Sequence, residues 1–260
     1  MNILGKIIEQ KKTEVADAKK RLPVEALRQM ELFSRKTFSL KASLQDETKN
    51  GIIAEFKRRS PSKGIINEVA DVVTVTKAYT LGGAGGLSVL TDGVFFGGCN
   101  ADLEAARIND IPILRKDFII DEYQLVEARA IGADTILLIA ACLSPLRVKE
   151  LASFARQLEL EILLEIHNEE ELGHICDEVD IVGVNNRDLR TFSVDINRSI
   201  ELAKKIPADK IRVAESGIDL VDTIHIFKEA GFKGFLIGER FMREKDPGDA
   251  FMKFTDRLKP

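Results

Sequence analysis

The chain has 260 residues, 38 Lys plus Arg against 42 Asp plus Glu, and a formal net charge of −4. That balance excludes the concentrated basic surplus of a nucleic-acid binder. A composition of 45% apolar and 31% charged residues excludes global disorder and supplies a sizeable core. Cys99, Cys142 and Cys176 stand far apart, without the paired spacing of a disulfide scaffold or a zinc ribbon. The apolar runs are too short for a membrane span, and the N-terminus lacks a signal-like apolar run. These features lead us to expect a soluble, cytoplasmic protein.

Residues 1–50 are rich in Lys, Glu, Gln, Leu and Ala, with no glycine after Gly5. Ile3, Leu4, Ile7 and Ile8 recur at helical spacing. Pro23 is expected in the first turn of a second helical segment reaching about Leu32. We read this region as a helical extension accessory to the rest.

From Gly51 onward, short apolar runs alternate with amphipathic stretches. The runs begin at Ile52, Gly86, Ile113, Asp134, Glu161, Ile181, Ile211 and Gly234. Helical patterns lie between them, as from Asp121 to Ala130, Ser144 to Leu158, Asn168 to Asp177 and Asp219 to Ala230. Asp121, Ser144 and Asn168 are capping residue types. Near-continuous apolar strands alternating with helices indicate a parallel sheet covered on its outer face. Eight such units predict a (β/α)8 barrel, a TIM barrel, as one domain over residues 1–260. The alternative is a doubly wound sheet. It usually carries a glycine fingerprint after its first strand, where this chain has Arg58-Arg59-Ser60-Pro61-Ser62.

In a barrel the chemistry gathers at the C-terminal ends of the strands. Polar residues interrupt the apolar runs there: Glu55 and Lys57, Lys116, Glu165, Asn185, then Glu215 and Ser216. Buried charges are costly unless paired, so these groups are expected to converge at the mouth. Glu55 and Lys57 share one strand face and Phe56 points the other way. An inward Lys116 has its pKa either lowered by burial or held up by Glu165. Structural readings compete at each position: a solvated Glu55–Lys57 pair, a Lys116 that merely closes the barrel with Glu165, and a turn at Gly217. His167 and Asn168 read as caps of the next helix, and His167 receives no role. Glycines after the seventh and eighth runs, Gly217 and Gly238, suit a phosphate site, with Ser60 adding a hydroxyl. No metal-ligand spacing, catalytic triad or Walker loop is present.

Several segments resemble the indole-3-glycerol phosphate synthase family. They are Ala54-Glu55-Phe56-Lys57-Arg58-Arg59-Ser60-Pro61-Ser62, Leu114-Arg115-Lys116-Asp117-Phe118, Leu164-Glu165, Gly183-Val184-Asn185-Asn186-Arg187-Asp188-Leu189 and Ala214-Glu215-Ser216-Gly217-Ile218. The resemblance spans essentially the whole chain. The motifs at the first and sixth strands are specific; the one at the seventh strand is shared with other phosphate-binding barrels. It implies conversion of 1-(2-carboxyphenylamino)-1-deoxyribulose 5-phosphate to indole-3-glycerol phosphate with loss of carbon dioxide and water, a step of tryptophan biosynthesis.

By matching positions, the resemblance makes Lys116 the general acid and Glu165 an acid/base partner in dehydration. Lys57 binds substrate anions and supplies a proton to the leaving hydroxyl. Glu55 and Asn185 position these groups, and Glu215 and Ser216 complete the mouth. Ser60, Gly217, Gly238 and the Glu239 amide hold phosphate. Arg187 falls among the substrate-binding positions, and Phe96 and Phe118 lie near the aromatic ring. Glu239 stands where some relatives have serine, so its carboxylate is expected to point away from the phosphate. No cofactor, metal, nucleic acid or membrane is implied, and we expect a monomer. The competing readings are a phosphoribosyl ketose/aldose isomerase, a Schiff-base aldolase and a non-catalytic phosphosugar-binding barrel.

Overall fold

The computed structural model describes residues 3–188 and 193–258. Eight parallel strands close into a barrel. They are β1 Ile52–Phe56, β2 Gly86–Leu90, β3 Ile113–Lys116, β4 Thr135–Ile139, β5 Glu161–Ile166, β6 Ile181–Asn185, β7 Ile211–Glu215 and β8 Gly234–Ile237. Each pairs with its neighbour in sequence, and β1 closes the ring against β8. Every expected apolar run forms a strand.

The alternation of side chains decides what each strand shows to each layer. Ile53, Leu114, Leu137, Ile139, Leu163, Ile181, Val213 and Leu236 fill the barrel interior. Ile52, Ala54, Phe56, Leu138, Leu164, Val184 and Phe235 belong to the layer packed under the helices. Both faces are buried, so the strands read as continuous apolar runs.

Helix starts follow their caps. The Asp121 carboxylate accepts from the Tyr123 amide ahead of the helix Glu122–Ala130. The Ser144 hydroxyl accepts from Arg147 N–H, with Pro145 in the first turn of Pro145–Gln157. Asn168 also caps, but a 3₁₀ segment, Glu169–His174, follows where the pattern suggested an α-helix. Gly173 disfavours continuation in such a short connector. The helix expected from Asp219 starts at Val221, because Asp219 belongs to the rim of the barrel mouth.

The extension departs further from its sequence reading. Helix α1 spans Ile3–Arg21. Pro23 is extended and precedes a single turn, Val24–Leu27, rather than starting a helix to Leu32. Tertiary contacts then redirect the chain: Arg35 Nη2 lies 2.6 Å from Asp134 Oδ1, which also accepts from Phe38 N–H. A further helix, Leu40–Gln45, within the region read as helical, is capped by Ser39. Its Leu40 and Leu44 join the interior cluster of the barrel. They close the end where the strands start. Leu40 is fully buried, so Leu40→Ala should cost about 2–5 kcal/mol of stability through lost burial and a residual cavity. Urea unfolding checks this; a loss near zero would show that the plug contributes nothing.

Candidate active site

At the other end, the strand termini carry the polar residues. The barrel register pairs Glu55 with Ser88, Lys116 with Leu90, Glu165 with Gly183 and Asn185 with Glu215. These positions therefore meet around one mouth. A single cavity there is lined by every residue singled out above: Glu55, Lys57, Ser60, Phe96, Lys116, Phe118, Glu165, Asn185, Arg187, Glu215, Ser216, Gly217, Gly238 and Glu239. Leu189, in the motif at the sixth strand, lies outside the described residues.

The charges pair across strands. Lys116 Nζ is 2.9 Å from Glu165 Oε2 and 3.4 Å from Glu215 Oε2. Asn185 Nδ2 donates to Glu165 Oε1 at 3.0 Å. Lys57 Nζ lies 2.7 Å from Glu55 Oε1. Two glycines make room for these carboxylates. A Cβ at Gly238 would stand 2.5 Å from Glu55 Oε1, and one at Gly183 would collide with Glu215 Oε1. Gly238 thus serves the Glu55 carboxylate as well as the rim.

Burial pulls the Lys116 ammonium down, but Glu165, Glu215 and Glu55 together outweigh it and hold its pKa above the usual lysine value. Of the two pKa outcomes open for Lys116, it is held up. Burial alone would raise Glu165; Lys116, His167 and Asn185 keep it well below the carboxylate range. Burial raises Glu215 to about 8, with Lys116 opposing and Glu165 and Glu55 reinforcing. Lys116 is thus flanked by one carboxyl held toward its ionised form and one pushed toward its protonated form.

Around this cluster the rim separates into two regions. The Phe96 and Phe118 rings lie 6.0 Å apart. The loops after β1, β7 and β8 supply the other region, the first of them touching the Phe96 turn through Arg59 Nη2, which donates to Val94 O at 2.6 Å. Ser216 and Gly217 both have positive φ, 69° and 68°, and Asn186 Nδ2 holds the turn by donating to Ser216 O at 2.7 Å. A non-glycine residue in this region of backbone space is strained. The Glu239 carboxylate faces Lys63 at 3.5 Å and Arg187 at 3.9 Å.

The chain matches the family model for indole-3-glycerol phosphate synthase over residues 4–254. The chain belongs to the indole-3-glycerol phosphate synthase family. It is 46% identical over 258 residues to the indole-3-glycerol phosphate synthase of Bacteroides thetaiotaomicron, covering 99% of both chains. It is 42% identical to the synthase of Acidovorax sp., covering 96% of this chain and 97% of that one. Among solved structures, tryptophan synthase subunit alpha from Legionella pneumophila superposes with a TM-score of 0.61 at 13% identity, covering 84% of this chain and 95% of that one. A tryptophan synthase complex from Pyrococcus furiosus gives 0.60 at 15% identity, over 81% and 98%. These two likenesses concern the fold alone.

Sequence reasoning missed part of this family member's site. Ile3, Leu4 and Ile7 of α1 line the cavity, so the extension is a wall of the site rather than an accessory. Their helical spacing was visible, but nothing local says which end of a barrel a helix covers. Lys11 was also missed. Its Nζ lies 2.9 Å from both Asp92 Oδ2 and Asp117 Oδ1. Arg115 and Asp117, on the strand face opposite Lys116, are buried beneath the helix layer and 3.3 Å apart. His167, given no role, reaches the Glu165 carboxylate at 3.1 Å.

Proposed function

We propose that the mouth cluster performs the family's ring closure as follows, the carrying observation being Lys116 set between Glu165 and Glu215. The substrate is 1-(2-carboxyphenylamino)-1-deoxyribulose 5-phosphate. Its carboxyl-bearing ring carbon attacks the ketone carbon, and Lys116 delivers a proton to the ketone oxygen, which becomes a hydroxyl. The carboxylate then leaves as carbon dioxide and its electron pair restores the ring. The hydroxyl departs as water on a proton from Lys57, while Glu165 takes up the proton lost from the five-membered ring. The products are indole-3-glycerol phosphate, carbon dioxide and water.

The electrostatics support this division. Lys116 enters the reaction charged and Glu165 ionised, as a general acid and a proton acceptor require. Asn185 and Glu55 hold Glu165 and Lys57 in place. Phe96 and Phe118 supply apolar walls for the aromatic ring. Ser60, Ser216, Gly217, Gly238 and the Glu239 amide receive the phosphate, whose remote binding energy places a flexible sugar for cyclisation. Arg187 attracts the substrate's anionic groups, and the Glu239 carboxylate turns toward the cations. The free Cys99, Cys142 and Cys176 suit a reducing cytoplasm.

The test is direct turnover. Purified protein mixed with this substrate, without added metal or cofactor, should give rising indole fluorescence. No rise from folded protein and intact substrate would refute the assignment and favour a phosphoribosyl isomerase.

A further inference from the structure

The two carboxyl groups flanking Lys116 are not equivalent. Glu165 is met by the Lys116 ammonium at 2.9 Å, by Asn185 Nδ2 at 3.0 Å and by His167 Nε2 at 3.1 Å. Glu215 has Lys116 as its one cation among the described residues, at 3.4 Å, and also meets the Glu165 carboxyl, which raises it, while its Oε1 has no hydrogen-bond partner among those residues. Asn185 is neutral, so it orients Glu165 without adding charge. Lys116 lies closer to Glu165 than to Glu215, and His167 is the further cation that Glu165 has and Glu215 lacks among the described residues.

His167 is built to carry that charge. It follows β5 and is buried, with 8% of its surface exposed. Its Nδ1 lies 3.4 Å from Glu171 Oε2, and the same oxygen accepts the His167 backbone N–H at 2.7 Å. Glu171 is in turn fixed by Asn168 at the start of the 3₁₀ segment. The ring is thus held between two carboxylates, one on each nitrogen. The Nε2 contact has the distance of an ion pair without the alignment of a hydrogen bond, so its effect is chiefly one of charge.

We propose that His167 is a positioning residue for the ring closure: an imidazolium held by Glu171 that keeps Glu165 the ionised carboxylate and leaves the shared proton on Glu215. This rests on the functional reading above, in which Glu165 accepts a proton. Burial opposes the charge on His167, but Glu165 and Glu171 outweigh it and raise its pKa to about 10. The other groups facing the pair do not substitute for it. Cys142, from the turn after β4, is pushed up to about 12 by burial and by Glu165 and Glu171, so it stays a neutral thiol. His174 lies within hydrogen-bond distance of Leu143 O and Glu171 O. Lys57 is engaged by Glu55 across the mouth. Without His167, Glu165 and Glu215 would compete more evenly for one lysine and one proton and would titrate as a pair.

The experiment is the pH profile of kcat for wild type, His167→Gln, His167→Lys and Glu171→Gln, with thermal melts as a check on folding. Loss of the cation raises the Glu165 pKa, so its base form disappears at a higher pH. The acidic limb in His167→Gln should therefore move up by about one pH unit, with kcat at neutral pH reduced several-fold and KM changed less than twofold. Glu171→Gln should move the limb the same way by less, and His167→Lys should restore it toward wild type. An unmoved limb in His167→Gln, or a fall in kcat that is equal at every pH, would overturn the proposal. If His167→Gln does not fold, an unmoved limb in Glu171→Gln overturns it instead. Wild-type turnover in the same assay separates this failure from failure of the functional reading.

Discussion

Lys116→Ala should lower kcat by about 10²–10⁴-fold, the range attributed to a positioned general acid, while binding of inorganic phosphate stays within about twofold of wild type. The reason is positional. The ammonium lies among Glu165, Glu215 and Glu55 at the centre of the mouth, whereas the residues proposed to hold phosphate belong to loops at its rim. Lys116→Arg separates charge from acidity. Arginine keeps the cation between the two carboxyls but does not give up a proton in proteins, so it should be almost as inactive as Ala. Steady-state fluorescence and phosphate inhibition constants read both quantities. A kcat within tenfold of wild type in Lys116→Ala would remove Lys116 from the acid role. An active Lys116→Arg would reduce its part to electrostatic stabilisation.

The largest effect on folding should come from Lys11→Met. Lys11 Nζ lies 2.7 Å from Glu14 Oε2 and 2.9 Å from both Asp92 and Asp117, with the lysine 4% exposed. Both aspartates are buried. Asp92 also caps the turn carrying Phe96, by accepting from the Phe95 and Phe96 amides, and Asp117 accepts from the Phe118 amide. Removing the ammonium strands carboxylates in a low-dielectric layer, which costs about 3–5 kcal/mol. The methionine stem refills the volume, so the loss is one of charge rather than packing.

The pH dependence of that loss has a defined sign. Burial pushes Asp117 up, but Lys11 and Arg115 hold it below the usual carboxylate value. A depressed carboxylate contributes stability that is present at neutral pH and lost as pH falls through its folded pKa. Lys11→Met forfeits the lysine's share of this contribution, so the gap from wild type should be widest near neutral pH and narrow under acid. Urea unfolding across that range measures it. A gap below about 1 kcal/mol, or one that widens in acid, would mean that α1 is held mainly by its other contacts, such as Tyr123 Oη donating to Leu22 O at 2.8 Å. The Michaelis constant should also rise, since α1 and both aromatic segments share this anchor.

The sequence alone determined the barrel and the level at which its candidate site lies. Strand character and strand facing are local properties: Ile53, Glu55 and Lys57 share a face because the pleat has a period of two. Once eight apolar runs alternate with helices, every polar residue at a strand's C-terminal end falls at the same mouth. Lys116, Glu165, Asn185 and Glu215 were therefore legible without coordinates. What only the tertiary structure decided are the contacts between segments distant in the chain. Leu40 plugs the barrel's lower end, Ile3 and Lys11 belong to a helix lying over its mouth, and His167 is an ionic partner of Glu165 rather than only a cap. Gly183 and Gly238 vacate space for carboxylates on other strands. No periodicity encodes these, because a helix's apolar face specifies that it packs but not against what. The charge state of each carboxyl depends likewise on which neighbours the folded chain brings within a few ångströms.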